Sequence, residues 1–84
     1  METIKNLIED KPIMKHFCEL LLLMVEEAKN CKSRRRVSSL ENAADDLIEC
    51  IDYLYLTAEE NKLFQNWYKT EIERKFWDIE ASLG

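Results

Sequence analysis

The stretch that most limits what this chain can fold into is Ile13 to Cys31, IMKHFCELLLLMVEEAKNC. Ile13, Phe17, Leu20, Leu21, Met24, Ala28 and Cys31 recur at intervals of three and four, the spacing of one face of an α-helix. Met14, Cys18, Leu22 and Val25 repeat that spacing about a third of a turn away. A helix with one apolar stripe needs one neighbour, whereas two adjoining stripes need cover from two directions. The segment therefore reads as the central helix of a small bundle. One Gly, one Pro and 35% charged residues leave little punctuation for strands or tight turns. The expected class is all-α: a small helical bundle of three long helices, with a short N-terminal helix, in a single domain spanning 1–84.

Ahead of the central helix, Thr3 to Glu9 predicts a short helix with Ile4, Leu7 and Ile8 on its apolar side. Asp10-Lys11-Pro12 breaks it, with Pro12 tolerated in a first turn and Asp10 placed to satisfy exposed amides. The central helix is expected to end near Asn30 to Ser33. Lys32-Ser33-Arg34-Arg35-Arg36 then reads as a solvated loop whose cations complement the carbonyl end of that helix. Ser38-Ser39-Leu40-Glu41 has the form of a capping box and opens a helix to about Leu56. Its core stripe is Leu40, Ala44, Leu47, Ile51 and Leu54, with Ala43, Ile48 and Tyr55 beside it. A second capping box, Thr57-Ala58-Glu59-Glu60, opens a last helix to about Ser82. Phe64, Tyr68, Ile72, Phe76, Ile79 and Leu83 share one side of it, and Leu63, Trp67, Trp77 and Ala81 fall on another.

Charge and cysteine usage narrow the function classes. Acids outnumber bases 17 to 12, for a net charge of −5, and nucleic-acid affinity comes mostly from neutralised phosphates, so nucleic acid is not the expected partner. The longest apolar run, Leu20 to Val25, lies between Glu19 and Glu26, far short of the ~20 residues that cross a bilayer. No membrane is expected, and the location expected is cytoplasmic. Cys18, Cys31 and Cys50 are odd in number and sit on apolar helix faces, the pattern of reduced, buried thiols. The single His16 gives zinc no second imidazole. Cys18, two residues on, projects from the opposite side of the helix, so the two do not form a nucleophile and base.

Two constellations remain. Glu41, Asp45, Glu49 and Asp52 are spaced i, i+4, i+8, i+11 on one helix face, with Glu26 and Glu27 on the antiparallel neighbour. Clustered carboxylates are hard oxygen ligands suited to Mg²⁺. A solvated helix face, with Lys29 or the arginine segment as counter-charge, accounts for the same pattern and is the preferred reading. The second constellation is aromatic: seven of the eight aromatic residues lie in the last 32 positions. Trp67 and Trp77 stand off the main stripe, where indoles are enriched at interfaces.

Val25-Glu26-Glu27-Ala28, the run Leu40 to Leu47 and the run Glu73 to Glu80 resemble, in order, three pieces of the all-α nucleotide pyrophosphohydrolases of the MazG type. The resemblance covers about 55 residues. It implies an alternative: a Mg²⁺-dependent domain of that kind, or a degenerate one without catalysis, with Glu26, Glu27, Glu41, Asp45, Glu49 and Asp52 as metal ligands. Asn30 stands where the family has a third glutamate, and the one ExxD element, Glu49-Cys50-Ile51-Asp52, falls a turn beyond Asp45.

The leading expectation is a non-enzymatic protein-binding module, an inhibitor, adaptor or antitoxin-like accessory protein without a cofactor. It would occupy a partner's surface through Trp67, Trp77 and Leu63, with Arg34, Arg35 and Arg36, as a homodimer or in a heteromeric complex. A further alternative is a DNA-associated regulator using the arginine segment. Arg35-Arg36-Val37-Ser38 also matches a basophilic phosphorylation pattern, with Ser38 at a helix N-terminus.

Overall fold

A computed structural model describes residues 4–54 and 56–83, so Thr3, Tyr55 and also the side chain of Asp52 lie outside the described residues. The elements in order are α1 (Ile4–Asp10), α2 (Pro12–Asn30), α3 (Arg34–Glu49), a 3₁₀ turn (Cys50–Leu54), α4 (Ala58–Tyr68), a π turn (Lys69–Glu73) and α5 (Arg74–Leu83). No strand occurs among the described residues. Because α4, the π turn and α5 run on as one rod, the architecture is an all-α bundle of three long helices behind a short one. It measures 38 × 24 × 18 Å.

Pro12 sits in the first turn of α2, where its missing N–H costs no hydrogen bond. The cap residue is Lys11, in extended conformation and without a side-chain cap, while Asp10 remains the last residue of α1. The corner is held instead by Lys11 N–H donating to Leu7 O at 3.0 Å and Met14 N–H donating to Lys11 O at 2.9 Å. Leu7 is fully buried beneath this corner, with Ile4 and Ile8 against it.

The central helix touches α1, α3, the π turn and α5. Met14, Cys18, Leu21, Val25 and Ala28 are buried, and Phe17, Met24 and Cys31 lie at the margin. This stripe runs between the two that spacing alone suggests. Ile13, Leu20, Leu22 and Leu23 are 48%, 44%, 41% and 64% exposed. A bundle this slender covers one side of α2 and leaves most of its residues exposed, so the outer members of both predicted stripes stay outside.

The segment expected to be an arginine loop is the first turn of α3, which starts four residues ahead of Ser38. Ser33 is the cap residue without a side-chain hydrogen bond, and the Ser38–Glu41 pair lies inside the helix rather than capping it. Three cations near a helix N-terminus oppose the macrodipole by ~0.3–1 kcal/mol each, less when exposed to salt. The offset is Val37, which the earlier start brings fully into the core. Burying a valine is worth roughly 1.5–3 kcal/mol, and Val37, Ala44 and Ile51 then form one buried row at intervals of seven. Ser39 Oγ donates back to Arg35 O at 3.1 Å within the same turn. Ser38 is therefore a helix-interior position and not the start expected for it.

The second capping box forms as spacing predicts. Glu60 N–H donates to Thr57 Oγ1 at 3.1 Å and Thr57 N–H donates to Glu60 Oε1 at 2.9 Å. Lys11 Nζ also reaches Glu60 Oε1, at 3.1 Å, and so ties the α1–α2 corner to the start of α4. The Thr57 amide, followed by Lys11, holds the Glu60 carboxyl below its ordinary range. Of the thiols expected to be buried, Cys18 is, Cys31 is half-buried and Cys50, at the 3₁₀ turn where α3 ends, is exposed. Burial, then the charge of Glu19, pushes the Cys18 thiol up to about 11. It stays protonated and inert.

Replacing Leu21 by Ala is expected to cost ~2–5 kcal/mol, since it empties the middle of the core. Leu23→Ala, one residue away on the open side, is expected to change stability by less than ~0.5 kcal/mol. Urea denaturation of both variants checks the pair, and similar costs would contradict the orientation of α2.

Candidate functional site

Two surfaces of α3 carry chemistry. On the side facing the C-terminal rod, Glu41 and Asp45 stand one turn apart. Tyr68 Oη donates to Asp45 Oδ1 at 2.7 Å, and Trp77 Nε1 donates to Glu41 Oε1 at 3.1 Å. Glu80, three residues beyond Trp77 on α5, stands beside the Glu41 carboxyl. Its Oε1 is buried and reached by no N–H or hydroxyl donor. Burial foremost, then the neighbouring Glu80 carboxyl, holds Glu41 up at about 7, with Asp45 adding to the effect and the Trp77 indole working against it. Burial, followed by the bond to Asp45, likewise raises the Tyr68 hydroxyl, which remains a donor at any ordinary pH.

The π turn places these groups. Phe64, Tyr68, Ile72 and Phe76 are all buried at four-residue spacing, and Arg74 N–H bonds to Lys69 O, the i→i+5 pairing of a π turn. Thr70 Oγ1 donates to Asn66 O and Trp67 O at 3.1 and 3.2 Å.

The second surface is apolar and lies between α2 and α3. Leu20, Met24, Ala43, Asp46, Leu47 and Cys50 line one shallow groove. Beyond it Leu22 and Leu23 stand in the open beside Glu19 and Glu26, and Cys50 is shared with a recess containing Glu49 and Tyr53.

Of the residues singled out from the sequence, Trp67 is half-buried against Phe64, the ring centroids 5.7 Å apart and the planes inclined at 41°. Trp77 is 56% exposed, with its nitrogen committed to Glu41. Leu63 lines a recess with Glu59, Lys62 and Asn66. Arg34, Arg35 and Arg36 are exposed in the first turn of α3. Glu26 pairs with Lys29 at 3.0 Å, and Glu27 is exposed on α2. Glu41 and Asp45 are brought together at the α3–α5 seam, while Glu49 lies in the recess by Cys50 and Tyr53. Among the described residues no three His, Cys, Asp or Glu side chains are placed to hold a metal ion. No helix among the described residues is long and apolar enough to cross a membrane. Sequence reasoning passed over Glu80 and the Tyr68–Asp45 bond. The available signal was the antiparallel pairing of α3 with the last helix, which opposes Glu41 to the Trp77–Glu80 turn. No family model, curated protein or solved structure matches this chain.

The carboxyl pair sets a pH dependence of known sign. Glu41's folded pKa lies above its ordinary value of 4.5. Its contribution to stability is therefore complete below about 4.5 and is lost as pH rises through about 7. Thermal melts between pH 5 and 8, values on the order of the ordinary working range, are expected to show Tm falling with pH. Glu80→Gln is expected to flatten that fall in part, because it removes the neighbouring carboxylate while leaving the burial of Glu41 in place. An unchanged slope would remove the pair as the cause.

Proposed function

We propose that this chain is a non-enzymatic protein-binding module that occupies its partner through the α2–α3 face. The observation that supports the reading is the line of large apolar side chains left open on α2. Ile13, Leu20 and Leu23 stand outward along the helix that the bundle is built around, and Leu20 continues into the groove formed with Ala43, Leu47 and Cys50. Large apolar side chains left open on one side of a small chain mark an interaction site when they border an apolar groove, as Leu20 does here. These residues contribute little to the chain's own core, whose buried row on α2 is Met14, Cys18, Leu21, Val25 and Ala28.

The chemistry of the remaining surface agrees. The carboxyl pair faces a helix seam rather than a cleft, and the Trp77 bond to Glu41 fastens α5 to α3 there. The groove is open and shallow, the shape that receives a helix face rather than a small molecule. In this reading the main contact surface is α2 with α3, and Trp77 contributes at the far side of α3 only through its bond to Glu41. The mechanism is occupancy: by covering a partner's apolar patch the module inhibits it or links it to something else.

A photo-crosslinking side chain placed at Leu20 in the full chain, expressed in its source cell, tests this. One discrete covalent adduct is expected, and none from the same group at exposed Asp78 on α5. The absence of an adduct at Leu20, or equal labelling at both positions, would refute the reading.

A further inference from the structure

We infer that the α2–α3 face takes a second copy of this chain, with α2 lying antiparallel on α2 and α3 antiparallel on α3 of the other copy. The inference rests on the protein-binding reading and names its partner. It comes from the distribution of charge along the groove. The three-residue join at Cys31–Ser33 folds α2 and α3 into an antiparallel pair. At the end with this join, Arg34, Arg35 and Arg36 open α3, and Arg36 lies seven residues before Ala43, on the same side of the helix. At the opposite end Asp46 lines the groove and Glu49 stands in the last turn of α3. The four ion pairs among the described residues are Lys11–Glu60, Lys15–Glu19, Lys29–Glu26 and Lys75–Glu71. None uses these arginines, Asp46 or Glu49. The face thus has a basic end and an acidic end whose charges enter none of these ion pairs, and Glu27, exposed on α2 one turn before the join, offsets only part of the three-arginine charge.

Two copies can meet face to face about a two-fold axis in two ways. An axis parallel to the helices sets α2 over α3 of the other copy and brings arginines over arginines and carboxylates over carboxylates. An axis across the helices sets like helix over like helix in opposite directions, and each basic end then meets an acidic end. Like charges directly apposed are strongly disfavoured, so the charge pattern selects the second arrangement. Ala43, small and exposed near the middle of α3, lets the two backbones approach there. Leu20 and Met24 supply the apolar centre. The net charge of −5 opposes the approach of two copies, but salt at ~0.15 M screens charges more than ~8 Å apart, whereas facing arginine and carboxylate groups are closer.

Sedimentation equilibrium of the full chain in physiological salt is the test, with circular dichroism confirming that each variant keeps its helices. A dimer is expected by ~100 μM. Leu20→Lys is expected to weaken it at least ~10-fold. The double variants Arg35→Glu with Arg36→Glu, and Asp46→Lys with Glu49→Lys, are each expected to weaken it by a similar factor. Mixed in equal amounts, the two charge-reversed chains meet with every contact of opposite sign, and the mixture is expected to recover the association of the unmodified chain to within ~3-fold. A monomer at that concentration, a dimer unmoved by these substitutions, or a mixture that fails to recover would overturn the inference. A monomer that still gives an adduct at Leu20 with a different protein overturns self-pairing alone, whereas a monomer giving no adduct overturns the protein-binding reading with it.

Discussion

Phe64, Tyr68, Ile72 and Phe76 are spaced at fours, and an α-helix turns once in about 3.6 residues. Each step therefore carries the side chain ~40° past the one before, and three steps carry it ~120°. Phe76 could not share the core with Phe64 on a regular helix. All four are nevertheless buried, and the π turn between Tyr68 and Arg74 removes the excess rotation. The remainder of the structure depends on this correction. It keeps Tyr68 facing Asp45 while the next turns bring Trp77 and Glu80 to Glu41. It also gives α2 a continuous apolar wall to bury Leu21 and Val25 against. Thr70 bonds back to the carbonyls of Asn66 and Trp67, the kind of side-chain bond that accompanies a bend in a helix.

Much of the bundle is legible in the chain because local signals and burial agree there. Pro12 and the polar run after Asn30 delimit α2, and the Thr57–Glu60 box starts α4 where spacing places it. Where local and global demands differ, the local signal yields. Ser38–Glu41 has the residues of a capping box, but a helix begun there would leave Val37 in a loop, and core burial outweighs a cap worth ~1 kcal/mol. The π turn was hidden for a related reason: a four-residue apolar spacing is compatible with ordinary helix, and only the length of the row betrays the accumulated drift.

The candidate surfaces were less legible than the helices. Spacing says that Leu20 and Leu21 both belong to apolar stripes of α2, yet it does not say how far α3 and α5 reach round that helix. Reach is a tertiary quantity, set by the width of the neighbours, and it leaves Leu21 buried and Leu20 half in water. The acidic spacing on α3 was plain, but its division was not. Glu41 and Asp45 turn to aromatic donors on the rod, while Asp46 joins the groove on the other side. Adjacent positions in a helix lie ~100° apart, so Asp45 and Asp46 serve different surfaces.

The open apolar residues sit on the element that is held most firmly, and that placement bears on how such a face binds. Leu20, Leu22 and Leu23 alternate closely with Leu21, which is fully buried. The backbone beneath each outward side chain is therefore fixed by an inward one next to it. A flexible loop presenting the same leucines would lose backbone freedom on binding, at ~1–2 kcal/mol for every residue ordered. On α2 that entropy has been lost already in folding, and association need restrict only side-chain rotamers, at roughly 0.5–1.5 kcal/mol each. A shallow groove with few leucines can then hold a partner that the same residues on a loop would not.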